Sequence, residues 1–329
     1  MESKTFDFDP DKCLTEKSKE RLILQKRVHD FERKLLETLK SDVFSEFTDV
    51  QTDSDHLLYY DEIFPKAIRY LIRDWGTSHD YDQRSITSDY IKRRLLELNI
   101  SSQESALFLG CGTGRYAVDL SPNYQKVDAC DVSLPMIWSI YHLYKLKEWE
   151  VLIGQSKNCK TVQDTFGKET VKMDETQLEL IKKKVNFYVA DIRNLPLKSA
   201  SVNHVFSIYF TDVIPFTETF EQVDRILSKG GLFIHFGPLD YTSANKYQTL
   251  STEEIVEFFE NSGYSIIADE FFETQNLPWK DSMHRNVYDN WFFIAQKSDE
   301  LVGVSLLSII KRNENSLLTK NVFDGDVSV

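Results

Sequence analysis

Three short stretches hold residue types that could do chemistry. The first is ALFLGCGTGRYAVDL, residues 106–120, with glycine at 110, 112 and 114 followed by Arg115. Glycine lets the backbone come close to a ligand and adopt positive φ. The spacing is GxGxG. A dinucleotide fingerprint would put glycine where Arg115 stands, so this loop suits a nucleoside with a compact zwitterionic tail better than a pyrophosphate. The second stretch, KVDACD, ends on Asp131, where an acid can accept both hydroxyls of a ribose. The third, VADIRNLPL, places Asp191 and Ile192 at another strand end. A carboxylate there can accept from an exocyclic amine while the isoleucine packs on an adenine face. Each feature alone has a plainer reading, as a tight turn, a helix cap or a turn residue. Together, at successive strand ends, they define one ligand.

The elements that must position them follow from periodicity. Residues 15–42 and 56–100 carry apolar residues at helical spacing. From Ala106 strands and helices alternate: ALFLG, then RYAVDLS; KVDACDVS, then LPMIWSIYHLYKLKEW; VNFYVADI; VNHVFSIYF, then TETFEQVDRILS. Lys229 and the pair Gly230-Gly231 read as that last helix's stop. GLFIHFGP, a helix EEIVEFFENSG capped by Ser251 or Thr252, and the strands YSIIADEFF and VYDNWFFIAQK complete the pattern. Such alternation means a mostly parallel sheet with helices on both faces. Residues 148–184 read as a polar insertion, partly helical around QLELIKKK.

The composition is that of an ordinary globular chain: 329 residues, 41% hydrophobic, 28% charged. The formal net charge of −13 argues against nucleic-acid binding, which needs a positive surface. Four cysteines, Cys13, Cys111, Cys130 and Cys159, have no CxxC spacing, so neither a metal site nor a disulfide framework is expected. No apolar run is long enough to span a bilayer, and the N-terminus has no apolar signal core. The expectation is a cytoplasmic protein with a small-molecule substrate and no membrane or nucleic-acid partner, a homodimer being left open.

The combination of GCGTGR, Asp131 and Asp191 resembles the class I S-adenosylmethionine-dependent methyltransferases. Four segments narrow the resemblance: RYLIRDWG, GCGTGR, the block FSIYFTDVIPFTETFEQVDRILSKGGLFIHFGPLDY, and DSMHRNVYDNWFFIAQK. Together they are similar to the carnosine N-methyltransferase family over residues 58–297. The resemblance implies an α/β, Rossmann-like fold: a mostly parallel seven-stranded sheet with helices on both faces, plus an N-terminal helical extension. Residues 1–100 would cover the cofactor site, residues 101–299 form the methyltransferase domain, and residues 300–329 add a helix and a loose tail. The implied cofactor is S-adenosyl-L-methionine, held by Arg73, Gly110, Gly112, Gly114, Arg115, Asp131, Val132, Asp191, Ile192 and Ile208.

On the acceptor side the resemblance implies Asp212 as the carboxylate that meets an imidazole, with Tyr241 and Tyr288 beside the substrate. The expected activity is N-methylation of a histidine-like or carnosine-like nitrogen. The alternatives are another small-molecule or protein nucleophile, or a catalytically silent binding protein. Three positions depart from the family pattern. Thr242 stands where the family has an imidazole-contacting histidine, Tyr70 where it has glutamine, and GCGTGR where it has GAGLGR. His235, on an apolar strand, reads as an interior histidine, and His284 as a polar residue within reach of substrate.

Overall fold

The residues of strand β1 (Gln103–Leu109) divide between two cores. Ala106 and Phe108 point into one, Leu107 and Leu109 into the other, as the two-residue period of a strand requires. The computed structural model describes residues 6–46, 60–77, 82–101, 103–155, 157–241, 246–277 and 282–298. The expected helix within 300–329 lies outside the described residues, as does Thr242.

In chain order the elements are α1 (Glu16–Glu46), α2 (Tyr60–Trp75), α3 (Gln83–Glu97), β1, α4 (Arg115–Leu120), β2 (Tyr124–Asp131), α5 (Leu134–Leu146), β3 (Glu148–Gly154), β4 (Phe166–Lys172), α6 (Glu175–Lys184), β5 (Val185–Val189), β6 (Val202–Ile208), α7 (Phe216–Ile226), β7 (Leu227–Gly237), α8 (Thr252–Asn261), β8 (Tyr264–Asn276) and β9 (Asn286–Lys297). The main sheet runs β5-β2-β1-β6-β7-β9-β8. The first five of these strands are parallel, while β9 is antiparallel to both β7 and β8. Helices α1 to α6 cover one face. Helices α7 and α8 cover the other, where Phe216, Phe220 and Phe259 pack on Phe233 and Phe293. Burial of both faces is what makes the central strands continuously apolar.

Two local readings need correction. The helix α5 ends at Leu146 rather than running on through Trp149. Lys147 reverses the chain at φ 65°, and Glu148 opens β3. The helix α7 ends at Ile226, because Leu227 is already extended. Lys229, Gly230 and Gly231 therefore belong to the irregular start of β7 rather than to a helix stop.

The insertion folds into a β3–β4 antiparallel hairpin followed by α6. Its exposed face carries the pairs Lys168–Glu150 and Lys172–Glu148. Ser251 caps α8 in a reciprocal capping box with Glu254. Among the described residues, no helix is long and apolar enough to cross a membrane.

Candidate active site

Strand β1 delivers the glycine loop to the carboxyl edge of the sheet, next to the point where strand order reverses. Gly110, Gly112 and Gly114 all have positive φ, at 55°, 55° and 76°. Two of them differ in what a side chain would meet. A Cβ on Gly110 would fall 2.0 Å from the ring of Phe210, so that ring fills the missing side chain's place. A Cβ on Gly112 would point into open space. That opening is where a ligand can approach the backbone. Asp131 closes the next strand and steadies the loop: its Oδ2 accepts from the Gly112 N–H at 2.9 Å, and its Oδ1 from the Ser133 N–H at 2.8 Å. Burial raises its pKa, and those two N–H groups partly offset the rise. Val132 beside it is 67% exposed, an apolar surface left uncovered at the rim.

The end of α2 clamps the same loop. Ile68 and Leu71 bury the helix, and its last turn presents Arg73, Asp74 and Trp75. The Trp75 indole N–H donates to the Thr113 carbonyl at 2.8 Å, and the Thr113 hydroxyl donates to Asp74 Oδ2. Arg73 donates from Nε to Asp74 Oδ1 at 2.5 Å. Its guanidinium carbon lies 4.8 Å from the Tyr70 ring centre and 5.4 Å from that of Tyr116. Burial opposes its charge, but Asp74 and the two tyrosines raise its pKa on balance, so it stays cationic. The Arg115 guanidinium is occupied differently. It pairs with Asp119 at 2.8 Å and lies over Trp75 at 4.9 Å, so it braces α4 against α2.

Asp191 and Ile192 are also committed within the protein. Asp191 caps a short turn through the Arg193 N–H and pairs with the Arg193 side chain, which lowers its pKa. Ile192, 5% exposed, packs among Leu109, Cys130 and Leu195 in the second core. Ile208 ends β6 in the first core.

The segment expected to face the acceptor begins where β6 ends. Tyr209 holds φ 56°, a left-handed conformation uncommon for a bulky residue, with its N–H on the Phe236 carbonyl at 2.8 Å. Two residues beyond Phe210, Asp212 is 7% exposed, and its Oδ2 accepts the Asp240 N–H at 2.7 Å. That bond joins the IYFTD and FGPLDY segments. Burial raises the Asp212 pKa, moderated by N–H groups and raised further by Asp240. Beneath it His235 is fully buried. Its Nδ1 meets the Thr211 hydroxyl at 2.8 Å and its Nε2 the Gly237 carbonyl at 3.1 Å. Burial pushes its pKa down to about 4, so it is a neutral, satisfied interior ring.

The two tyrosines behave differently. The Tyr241 hydroxyl donates to the Leu250 carbonyl at 2.8 Å, which anchors the chain after β7, and burial pushes its pKa up to about 12. Tyr288 lies within the electrostatic reach of Asp240, Tyr70 and Asp212; burial and these neighbours raise its pKa. The glycine loop, Asp131, Arg73, Asp212 and Tyr288 thus gather at one edge of the sheet. Thr113, Trp75 and Asp240 join them without having been singled out in the sequence. Trp75 lies in the RDW segment and Thr113 in GCGTGR, so both segments were signalled though these two residues were not; Asp240 occupies a variable position of its motif and carried no signal.

The insertion reaches both sides of this edge. Gly76 bridges to Val171, and the Thr77 N–H donates to the Thr170 carbonyl at 2.9 Å. At its other end Cys159 bridges to Ser282, and the Met283 N–H donates to the Asn158 carbonyl at 2.8 Å.

Counted within the main sheet, the strand order is 3-2-1-4-5-7-6 with an antiparallel strand 7. With a glycine loop after the first strand and a half-buried acid ending the second, this defines a class I S-adenosylmethionine-dependent methyltransferase fold. Within that class the chain belongs to the carnosine N-methyltransferase family, whose sequence profile matches residues 60–299. The carnosine N-methyltransferase of Dictyostelium discoideum is 22% identical over 271 residues, 74% of this chain and 57% of that protein. The chain therefore spans less than two thirds of that relative's length. Magnesium protoporphyrin IX methyltransferase from Synechocystis, solved with S-adenosylmethionine, is similar at TM-score 0.46 and 12% identity, covering 76% of this chain and 100% of that one. The YcgJ protein of Bacillus subtilis gives TM-score 0.42 and 12% identity, covering 64% and 99%. At these scores neither likeness adds to what the strand order gives.

Proposed function

We propose that this protein is an S-adenosylmethionine-dependent N-methyltransferase acting on a small imidazole- or amino-acid-derived nitrogen by in-line methyl transfer. The observation that carries the reading is the Asp212 carboxylate. It is buried, fixed by the Asp240 N–H, and two residues from the ring that packs on Gly110 of the glycine loop. A methyl donor and a proton acceptor would meet across that contact.

The residues fit the cofactor. The open space at Gly112, the carboxylate of Asp131 and the exposed Val132 form a rim suited to a nucleoside. Arg73, held cationic at the end of α2, suits the carboxylate of an amino-acid tail. When bound, S-adenosylmethionine supplies an electrophilic methyl group on a sulfonium. Asp191 would serve an exocyclic amine only by sharing its carboxylate with Arg193.

The chain's own work is alignment and proton handling. An imidazole attacks through a neutral nitrogen, and its other ring nitrogen becomes more acidic as positive charge develops. Asp212 accepts that proton. Its raised pKa makes it a better base than an exposed carboxylate, while the Asp240 N–H keeps its plane fixed. Tyr288 lines the same wall.

The test is incubation with methyl-labelled S-adenosylmethionine and a panel of imidazoles, carnosine first, then amines and guanidines. S-adenosylhomocysteine and a labelled small-molecule product are expected. Cofactor binding without turnover of any imidazole or amine would overturn the proposal.

A further inference from the structure

The acceptor side of the site holds a second carboxylate that proton removal does not require. Asp240 lies three residues beyond the end of β7, and its own N–H bonds Asp212. The β7–β9 ladder ends with Gly237 opposite Trp291. Asp240 follows Gly237 by three residues and Tyr288 precedes Trp291 by three, so both leave the same end of this strand pair. Tyr70 enters from α2, its ring against Arg73. The electrostatics agree with this grouping, since Asp240, Tyr70 and Asp212 all act on the Tyr288 hydroxyl.

The two carboxylates differ in their settings. Asp212 is buried, whereas Asp240 is exposed at the mouth. The Asp240 charge disfavours that of Asp212, and an incoming cation offsets this. Tyrosine faces beside a carboxylate are the chemistry that holds an ammonium. The attacking nitrogen must be neutral, so the cation has to be a different group on the same acceptor.

We infer that Asp240 is a specificity-determining residue which, with Tyr288 and Tyr70, holds a free ammonium group of the methyl acceptor, separate from the nitrogen that is methylated. The inference rests on the reading of Asp212 as the acceptor-side carboxylate. Asp240 occupies the variable position of Gly-Pro-Leu-x-Tyr, so the selectivity belongs to this chain rather than to its motif.

The test uses the full chain with S-adenosylhomocysteine present, titrated calorimetrically with carnosine and with N-acetylcarnosine. Acetylation removes the ammonium and leaves the imidazole. Carnosine is expected to bind about tenfold more tightly, the scale of one charge-assisted bond. Asp240→Asn keeps the backbone N–H for Asp212 and should weaken carnosine alone, bringing the two ligands to within about twofold of each other. Asp240→Glu should retain most of the preference. Equal binding of the two ligands by the unaltered protein, binding of neither, or equal weakening of both by Asp240→Asn overturns the inference. The first comparison needs no variant, so a misfolded one leaves the test intact. Methylation is followed in parallel. Carnosine bound with an Asp240-dependent preference but not methylated would overturn the proposed activity and leave this inference standing.

Discussion

The Trp75 indole donates to the Thr113 carbonyl at 2.8 Å, across 38 residues of sequence. The Thr113 side chain simultaneously donates to Asp74, so one loop residue is gripped by two consecutive residues of α2. Three glycines leave the loop many allowed conformations, and this grip favours one. Thr113→Val removes the hydroxyl and leaves the fully buried Asp74 short of a donor. The expected loss is about 1–3 kcal/mol of stability. S-adenosylhomocysteine affinity should fall about tenfold with it. Urea unfolding and calorimetric titration measure the two. Unchanged cofactor affinity would show that the loop keeps its shape without the clamp.

Asp131 stands at the other side of the loop, bonded to the N–H groups of Gly112 and Ser133. Asp131→Ala should weaken S-adenosylhomocysteine by about tenfold or more, since it removes the carboxylate proposed to hold the ribose as well as support for the loop. An unaltered dissociation constant would place the ribose elsewhere.

Asp212→Asn keeps an oxygen for the Asp240 N–H and loses the proposed base. The turnover rate should fall by about 10²–10⁴, the usual worth of a positioned base. Cofactor affinity should stay within about twofold. Single-turnover rates and cofactor titration separate the two effects; lost cofactor binding with normal turnover of bound complex would contradict the assigned role.

How much of this was legible beforehand depended on what each residue answers to. The strand alternation of residues 106–109 and the glycine spacing are dictated by local geometry, so the sheet and loop could be read directly. Asp131 was legible because strand ends are where ligands gather, whereas Asp212 was legible only through the resemblance of its segment to the family. The β3–β4 hairpin was not: its strands alternate buried residues such as Val151 and Val171 with lysine and glutamate, and the pattern reads as a polar stretch. The Arg115 guanidinium was read toward the cofactor, but its orientation depends on Asp119 and Trp75, and only the folded chain brings Trp75 near. Asp240 depends in the same way on a contact that only folding makes, its N–H on Asp212.

Two buried histidines set the acid limit of the fold. Burial pushes both His204 and His235 down to about 4, from an ordinary value of 6.5. A lowered folded pKa means the unfolded chain binds more protons between those values. The stability is therefore present above the unfolded pKa and lost as pH falls toward the folded one. From pH 7 to 5.5 the two rings together should cost about 2.5 kcal/mol. Asp131 and Asp212, whose pKa values are raised, act with opposite sign: their contribution is full below the unfolded carboxylate pKa and is lost as pH rises through the folded one. They start from the carboxylate range, so the histidines dominate this window. Urea unfolding at the two pH values gives the difference directly, and equal stabilities would mean that the rings are not held neutral.

The hairpin insertion touches both walls of the site, and its two contacts can be separated. The bridge to Gly76 comes from β4, whereas the pairing with Ser282 and Met283 comes from the connection around Asn158 and Cys159. Replacing residues 155–165 by a tight Asn-Gly turn keeps the strands and the first bridge and deletes the second. Ser282 and Met283 lead into β9, which carries Tyr288. The acceptor KM should then rise about tenfold, because misplacing one wall of a site costs that much or more. S-adenosylhomocysteine affinity should not change, since Gly76 and the α2 clamp are left in place. Steady-state kinetics in the acceptor and titration of the cofactor give the two numbers. A loss confined to cofactor binding would mean that the insertion serves the glycine loop and has no part in holding the acceptor side.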